Sequence, residues 1–268
     1  MGNDTILTGP PRSGTTLACY LLNKTADTIA LHEPMNLQMF PDRKTGLQSA
    51  RSFFPEMRAS LLENGTAISK VSEGMIPANP FGDTGEGGRS SIVRKGSVHF
   101  DKKLSKEFKL IIKHNAHFTF LLPELQDYFP VYIVVRNPVS TLASWNSIKA
   151  PVSKGNLKVL ETLDPALYKL LDSMPDLLSR QVTLLDKIYL AFLKASKAEF
   201  IRYEDIIASK GKALACISGN ASTLSEPLES RNENPLYDHQ LIQSIKAGLL
   251  KHQGAYLDLY STDSIENF

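Results

Sequence analysis

Gly9-Pro10-Pro11-Arg12-Ser13-Gly14-Thr15-Thr16 is a run whose residue types and spacing suit the capture of an anion. An apolar, strand-forming stretch at residues 5–8 leads into it, and an apolar helical stretch at 15–22 leads out. Backbone N–H groups of such a loop converge on one point, and the helix N-terminus adds partial positive charge there, so a phosphate or sulfate is held. Glycine, four residues, then Gly-Thr-Thr is close to the nucleotide P-loop, but Thr15 stands where that loop carries its lysine. The cation comes earlier, as Arg12. That difference points away from ATP.

Further reactive side chains stand at the ends of other apolar runs. Val131-Tyr132-Ile133-Val134-Val135 ends in Arg136-Asn137-Pro138, where a nucleotide hydrolase would place a magnesium-holding aspartate. Ser144 follows eight residues after Arg136 and can share an anion with it only if the chain between them bends around that anion. The run at 108–112 ends in Lys113-His114-Asn115, and the run at 28–31 ends in His32-Glu33-Pro34. Each has a plainer reading taken singly: an arginine pairing with a carboxylate, a serine or lysine facing water, a glutamate in a turn. Pro34 predicts extended backbone at Glu33, and strand alternation would turn His32 to the opposite face.

The elements that must position these residues follow from hydrophobic periodicity. Strands are predicted at 5–8, 28–31, 108–112, 131–135 and 199–201. Helices are predicted at 15–22, 47–62, 118–129 and 138–148, across 165–197 with a break at Pro175, and around 241–250 with Gly254 as its stop. Alternating strands and helices predict an α/β, three-layer, P-loop-like fold with a central parallel sheet flanked by helices. Its ligand would lie beyond the carboxyl ends of the strands. Two segments rich in glycine, proline and charge interrupt the alternation. Residues 69–103 suit a lid or substrate loop, with a short hairpin around 91–100, and residues 223–235 suit a second cover. Glu73, Asp83 and Glu86 in the first would favour a cationic acceptor or simply face solvent.

At 268 residues the chain fits one domain, 1–268, able to bury a full core. Thirty basic residues against 28 acidic ones leave a net charge of +2, so no global field argues for nucleic acid. Two cysteines make no disulfide framework, and Cys19 reads as a buried thiol. No apolar run reaches the roughly 18 residues needed to span a bilayer, and no charged-then-apolar leader is visible. The expectation is a soluble, cytoplasmic protein acting without nucleic acid or membrane partners; nothing in the pattern speaks to oligomeric state.

The early Pro-Arg-Ser-Gly-Thr-Thr together with Val-Val-Arg-Asn-Pro and Ser144 closely resembles the sulfotransferases that use 3′-phosphoadenosine 5′-phosphosulfate (PAPS). The resemblance covers roughly residues 5–40, 108–148 and 199–207, including Ile201-Arg202-Tyr203-Glu204-Asp205-Ile206. It implies cofactor contacts at Arg12, Ser13, Gly14, Thr15, Thr16, Arg136 and Ser144, with Tyr203 near the adenine and no metal. It also implies a catalytic lysine at Lys113, with Arg12 and the first loop on the 5′-phosphosulfate and Arg136 and Ser144 on the 3′-phosphate. Soluble members open Lys-Thr-His with the histidine as base, and Asn115 breaks that pattern, leaving His114 one place early and His117 two late. Carbohydrate and protein-tyrosine members carry a glutamate near the position of Glu33, which is the preferred base over His114 or His117. The implied reaction moves a sulfuryl group from PAPS to a hydroxyl or amine of a small soluble acceptor, a natural product for example, and releases adenosine 3′,5′-bisphosphate (PAP). The alternatives are a P-loop small-molecule kinase and a non-catalytic nucleotide-binding module.

Overall fold

The computed structural model describes residues 3–83 and 89–268. Strand β1 (Asp4–Thr8) passes through the glycine-bounded loop at 9–14, the expected anion loop, into helix α1 (Thr15–Leu22), and β2 (Thr28–His32) follows. Helix α2 (Arg43–Asn64) follows, then β3 (Thr66–Val71), β4 (Phe81–Asp83), β5 (Arg89–Ser91), β6 (Arg94–His99) and β7 (Lys109–Lys113). Two short helices, α3 (Ala116–Thr119) and α4 (Leu122–Leu125), lead to β8 (Val131–Val135) and α5 (Pro138–Asn146). The chain continues through α6 (Leu160–Leu163), α7 (Pro165–Ser173) and α8 (Leu177–Leu193) to β9 (Glu199–Arg202) and α9 (Tyr203–Ala208). Helices α10 (His239–His252) and α11 (Thr262–Glu266) end it.

Five parallel strands form the central sheet in the order β2-β7-β1-β8-β9, so the three-layer α/β architecture is as expected. Both faces are apolar, which is why the strands read as continuous hydrophobic runs. Ile6, Leu31, Ile112 and Ile133 face a core shared with Phe54, Leu142, Leu185 and Leu249 from α2, α5, α8 and α10. Leu7, Ala30, Ile111 and Val134 face the other side, against Ala18, Cys19 and Leu22 of α1 and Ile206 of α9. Register sets the strand ends level: Lys113 lies between His32 on one neighbour and Leu7 on the other, and Val135 lies beside Arg202. After β1 the chain builds one side of the sheet, then crosses to the other at β8. That reversal opens a crevice at the carboxyl end of β1, where the anion loop sits.

Several expectations need correction. The helix predicted over 118–129 is broken into α3 and α4, because Pro123 has no N–H to give the Thr119 carbonyl. Residues 91–100 form no hairpin: β5 pairs with β4, while β6 pairs antiparallel with β3 along the full length of both. Strand β3 holds this ribbon against the sheet edge, where Ser69 Oγ accepts the His32 N–H at 2.9 Å. Helix α10 stops at Gln253, whose φ of 50° is left-handed, and not at Gly254. Gly254 is needed for space, since a Cβ there would lie 2.7 Å from Asp186 Oδ1. The break at Pro175 holds, separating α7 from α8. Among the described residues no helix is long and apolar enough to cross a membrane.

Gly9 closes the contact between β1 and β8, and a Cβ there would stand 2.1 Å from the Val134 carbonyl oxygen, a backbone atom that has no freedom to yield. Gly9→Ala is therefore expected to destabilise the fold by about 3 kcal/mol, the upper range for overpacking. A lower urea midpoint at unchanged slope would confirm it, and a wild-type midpoint would refute the packing assignment.

Candidate active site

A cavity of about 850 Å³ lies over the carboxyl ends of the strands. Gly14, Thr15, Thr16 and Leu17 form part of its wall, so the leading N–H groups of α1 border it with no side-chain cap of their own. Gly14 has φ 97°, and a Cβ on it would meet Tyr203 Cδ2 at 2.6 Å. Left-handed backbone and the close tyrosine ring together require glycine. The Thr15 hydroxyl donates to Asn115 Oδ1 at 3.0 Å, and Thr16 Oγ1 stands 3.4 Å from His32 Nε2. Ser13 is turned away from the cavity wall. Its N–H donates to the Pro10 carbonyl at 3.1 Å and its hydroxyl is buried without a partner.

One end of the cavity is built around Glu33. Its Oε1 accepts from Lys113 Nζ at 2.8 Å and its Oε2 from Lys70 Nζ at 2.6 Å. The backbone here is not extended, as Pro34 had suggested. The Glu33 N–H continues the parallel ladder to the Lys113 carbonyl at 2.8 Å, and the residue then turns with φ 45°. That turn brings His32 and Glu33 onto the same cavity wall, so strand alternation does not separate them. Burial alone would raise the Glu33 carboxyl, but the ammonium groups of Lys113 and Lys70 overturn this and hold it well below the usual carboxylate range. Burial pushes Lys113 down, with Glu33 opposing; Lys113 is only 2% exposed.

Of the two candidate histidines, His117 borders the cavity with Nε2 buried and unpartnered, whereas His114 does not. His114 Nε2 accepts the Met35 N–H at 3.0 Å, and its ring packs on Phe118. Its lone pair is committed to the fold.

The other end gathers guanidinium groups. Arg12 has φ 73°, and its Nε donates to Ser144 Oγ at 3.1 Å and Nη1 to Asn79 Oδ1 at 3.2 Å, with Phe81 beneath the charge. Ser144 is fully buried and absent from the wall, and the hydroxyl it turns to Arg12 fixes that guanidinium. Arg136 lies over the Tyr203 ring and donates to Asn232 Oδ1 at 2.8 Å, the Arg12 carbonyl at 3.1 Å and the Arg231 carbonyl. Burial, then Arg89 and Arg136, lower the Arg12 guanidinium to about 10.

Lys70 and Arg89 escaped the sequence reading. Both lie in the irregular 69–103 stretch, where no periodicity or spacing marks a single cation. That stretch and residues 223–235 do line the cavity, through Asn79, Phe81 and Val93 on one side and Leu228 and Arg231 on the other. Glu73 is exposed and off the wall, while Glu86 and the side chain of Asp83 lie outside the described residues. Among the described residues no group of three or more His, Cys, Asp or Glu side chains is placed to hold a metal ion.

Comparison with known proteins adds little to this geometry. No protein-family model matches the chain, and no curated protein does. The chain is similar to the crystal structure of sulfotransferase STF1 from Mycobacterium tuberculosis at 15% identity, over 94% of this chain and 77% of that one, with a TM-score of 0.39. A superposition so loose carries no argument.

Burial lowers His32 to about 3 and His117 to about 4, and holds His114 well below 6.5. The unfolded chain, with histidines near pKa ~6.5, therefore binds more protons than the folded one below neutrality, so stability is lost as pH falls. The melting temperature is expected to drop steadily from pH 6.5 to pH 5, at a cost of about 1.4 kcal/mol per pH unit for each histidine kept neutral. His32→Gln should flatten the slope. A flat profile in the parent chain would contradict the buried, neutral histidines.

Proposed function

We propose that this chain is a sulfotransferase that moves a sulfuryl group from PAPS to a hydroxyl or amine of a small acceptor, releasing PAP. The observation that carries the reading is the shared cavity: a lysine-bound carboxylate, Glu33 with Lys113, opens onto the same space as the α1 loop and the arginine end. A donor with two separate anionic groups fits this layout. Backbone N–H groups serve one group, guanidinium groups serve the other, and the volume lies within the ~300–1,000 Å³ of ligand sites. Buried donors without partners, such as Arg89 Nε, fit a polar ligand as well.

The donor supplies an activated sulfuryl group; positioning and charge are what the chain contributes. Gly14, Thr15 and Thr16 would hold the 5′ end at the helix N-terminus. Arg12, steadied by Ser144, and Arg136 would hold the 3′-phosphate, with the Tyr203 ring as the adjoining surface. Lys113 would meet negative charge developing on the leaving oxygen. As its ammonium turns toward that charge, Glu33 keeps only Lys70 as counter-ion and becomes more basic. It thus gains affinity for the acceptor's proton when that proton must leave.

The test is PAPS turnover against a panel of hydroxyl and amine acceptors, with Glu33→Gln as the variant. Turnover should fall about 10²- to 10⁴-fold, the usual contribution of a general base, while PAP affinity stays at the parent value. Undiminished turnover would transfer the proton to His117. Magnesium-dependent ATP consumption with no sulfuryl transfer would replace the reading by a kinase.

A further inference from the structure

We propose that Arg89 is a third guanidinium of the anion site built by Arg12 and Arg136, and that it reads the second phosphate of the nucleotide. This rests on the PAPS reading above and adds a residue from the lid segment to it. Arg89 is 9% exposed and borders the cavity. Its Nη2 donates to Ser147 Oγ at 2.6 Å, but its Nε is buried with no partner among the described residues. A buried guanidinium donor left unmade is costly, and in a cavity wall it marks a missing acceptor.

The side chain is not what ties the β4–β5 ribbon in place. The backbone does this: the Arg89 N–H donates to the Ser147 carbonyl at 3.3 Å, and the Lys149 N–H donates to the Arg89 carbonyl at 2.9 Å. The guanidinium is thus delivered to the cavity by main-chain pairing just beyond α5, the helix that carries Ser144.

Charge identifies the ligand. Arg12 is close enough to Arg89 and Arg136 to feel the repulsion of both. Among the described residues none of the three forms an ion pair. Their acceptors are hydroxyls, amides and carbonyls, all neutral, and Glu229 on the same wall instead stands 3.9 Å from Arg231. Three guanidinium groups on one cavity wall, none paired to a carboxylate among the described residues, are unfavourable until an anion joins them. A phosphate monoester, with a charge of about −1.5 to −2 at pH 7 and three acceptor oxygens, offers both the charge and the lone pairs; a sulfate ester, with one charge, offers less. The Glu33 end keeps one net positive charge, two ammonium groups on one carboxylate, so the larger unmet positive charge among the described residues lies at the arginine end.

The test is calorimetric titration at fixed ionic strength with PAP, adenosine 5′-monophosphate and inorganic sulfate. It compares the parent chain, Arg89→Ala and Arg89→Lys, each checked by circular dichroism. Arg89→Ala should weaken PAP about 10- to 100-fold, the worth of one charge-assisted bond, and leave the monophosphate unchanged. Arg89→Lys should recover part of the loss, since an ammonium keeps the charge but not the planar fork; it also serves if the alanine variant does not fold. A parent preference for PAP that survives both variants would overturn the role of Arg89 alone, including the case in which only acceptor KM changes. Equal losses on PAP and monophosphate would do the same. A parent chain that binds PAP no better than monophosphate or sulfate would remove the donor reading and this inference with it.

Discussion

Parallel pairing of β1 between β7 and β8 is the constraint on which the site depends. Parallel strands all end at the same edge, and β1 is where the chain stops building one side of the sheet and starts the other. The loop after β1 therefore meets no crossover helix above it and opens into a crevice. Gly9 shows how tight this junction is, because the Val134 carbonyl occupies the space a side chain would take. Once β1 is central, the ends of β2, β7, β8 and β9 open onto that crevice. Lys113 closes β7, Glu33, Arg136 and Tyr203 follow the other three, and all four border the cavity.

Charge is divided across the cavity. At one end a carboxylate is saturated by two ammonium groups; at the other, guanidinium groups rest on neutral acceptors. The first arrangement keeps the carboxylate ionised and the second leaves positive potential on the cavity wall. Between them the histidines are kept neutral by burial, so the division does not shift with small changes around neutrality. The two irregular segments supply what the sheet edge lacks, Lys70 and Arg89 from one and the acceptors for Arg136 from the other.

The sheet was legible because buried parallel strands are apolar on both faces and stand out as runs, and the anion loop because its glycines and its cation have fixed spacing. All five predicted strands exist, displaced by a residue at most at either end. Legibility failed where a residue's role depends on a neighbour far along the chain. Ser144 was paired in expectation with Arg136, eight residues away, yet its hydroxyl belongs to Arg12 across 132 positions. His114 seemed a candidate base until the Met35 N–H took its lone pair. Glu33 was expected extended from its proline, yet after its ladder bond to Lys113 it turns with positive φ.

By itself the sequence determined the sheet, the glycine-bounded loop between β1 and α1 and the absence of a P-loop lysine, since these are set by local periodicity, glycine spacing and residue type. Only the tertiary structure decided which charges meet. Glu33 finds Lys113 and Lys70, and Arg89 comes to border the same cavity as Arg12 and Arg136, because register and ribbon pairing bring distant stretches together. Coulombic partners and burial act through space, and no spacing along the chain encodes them.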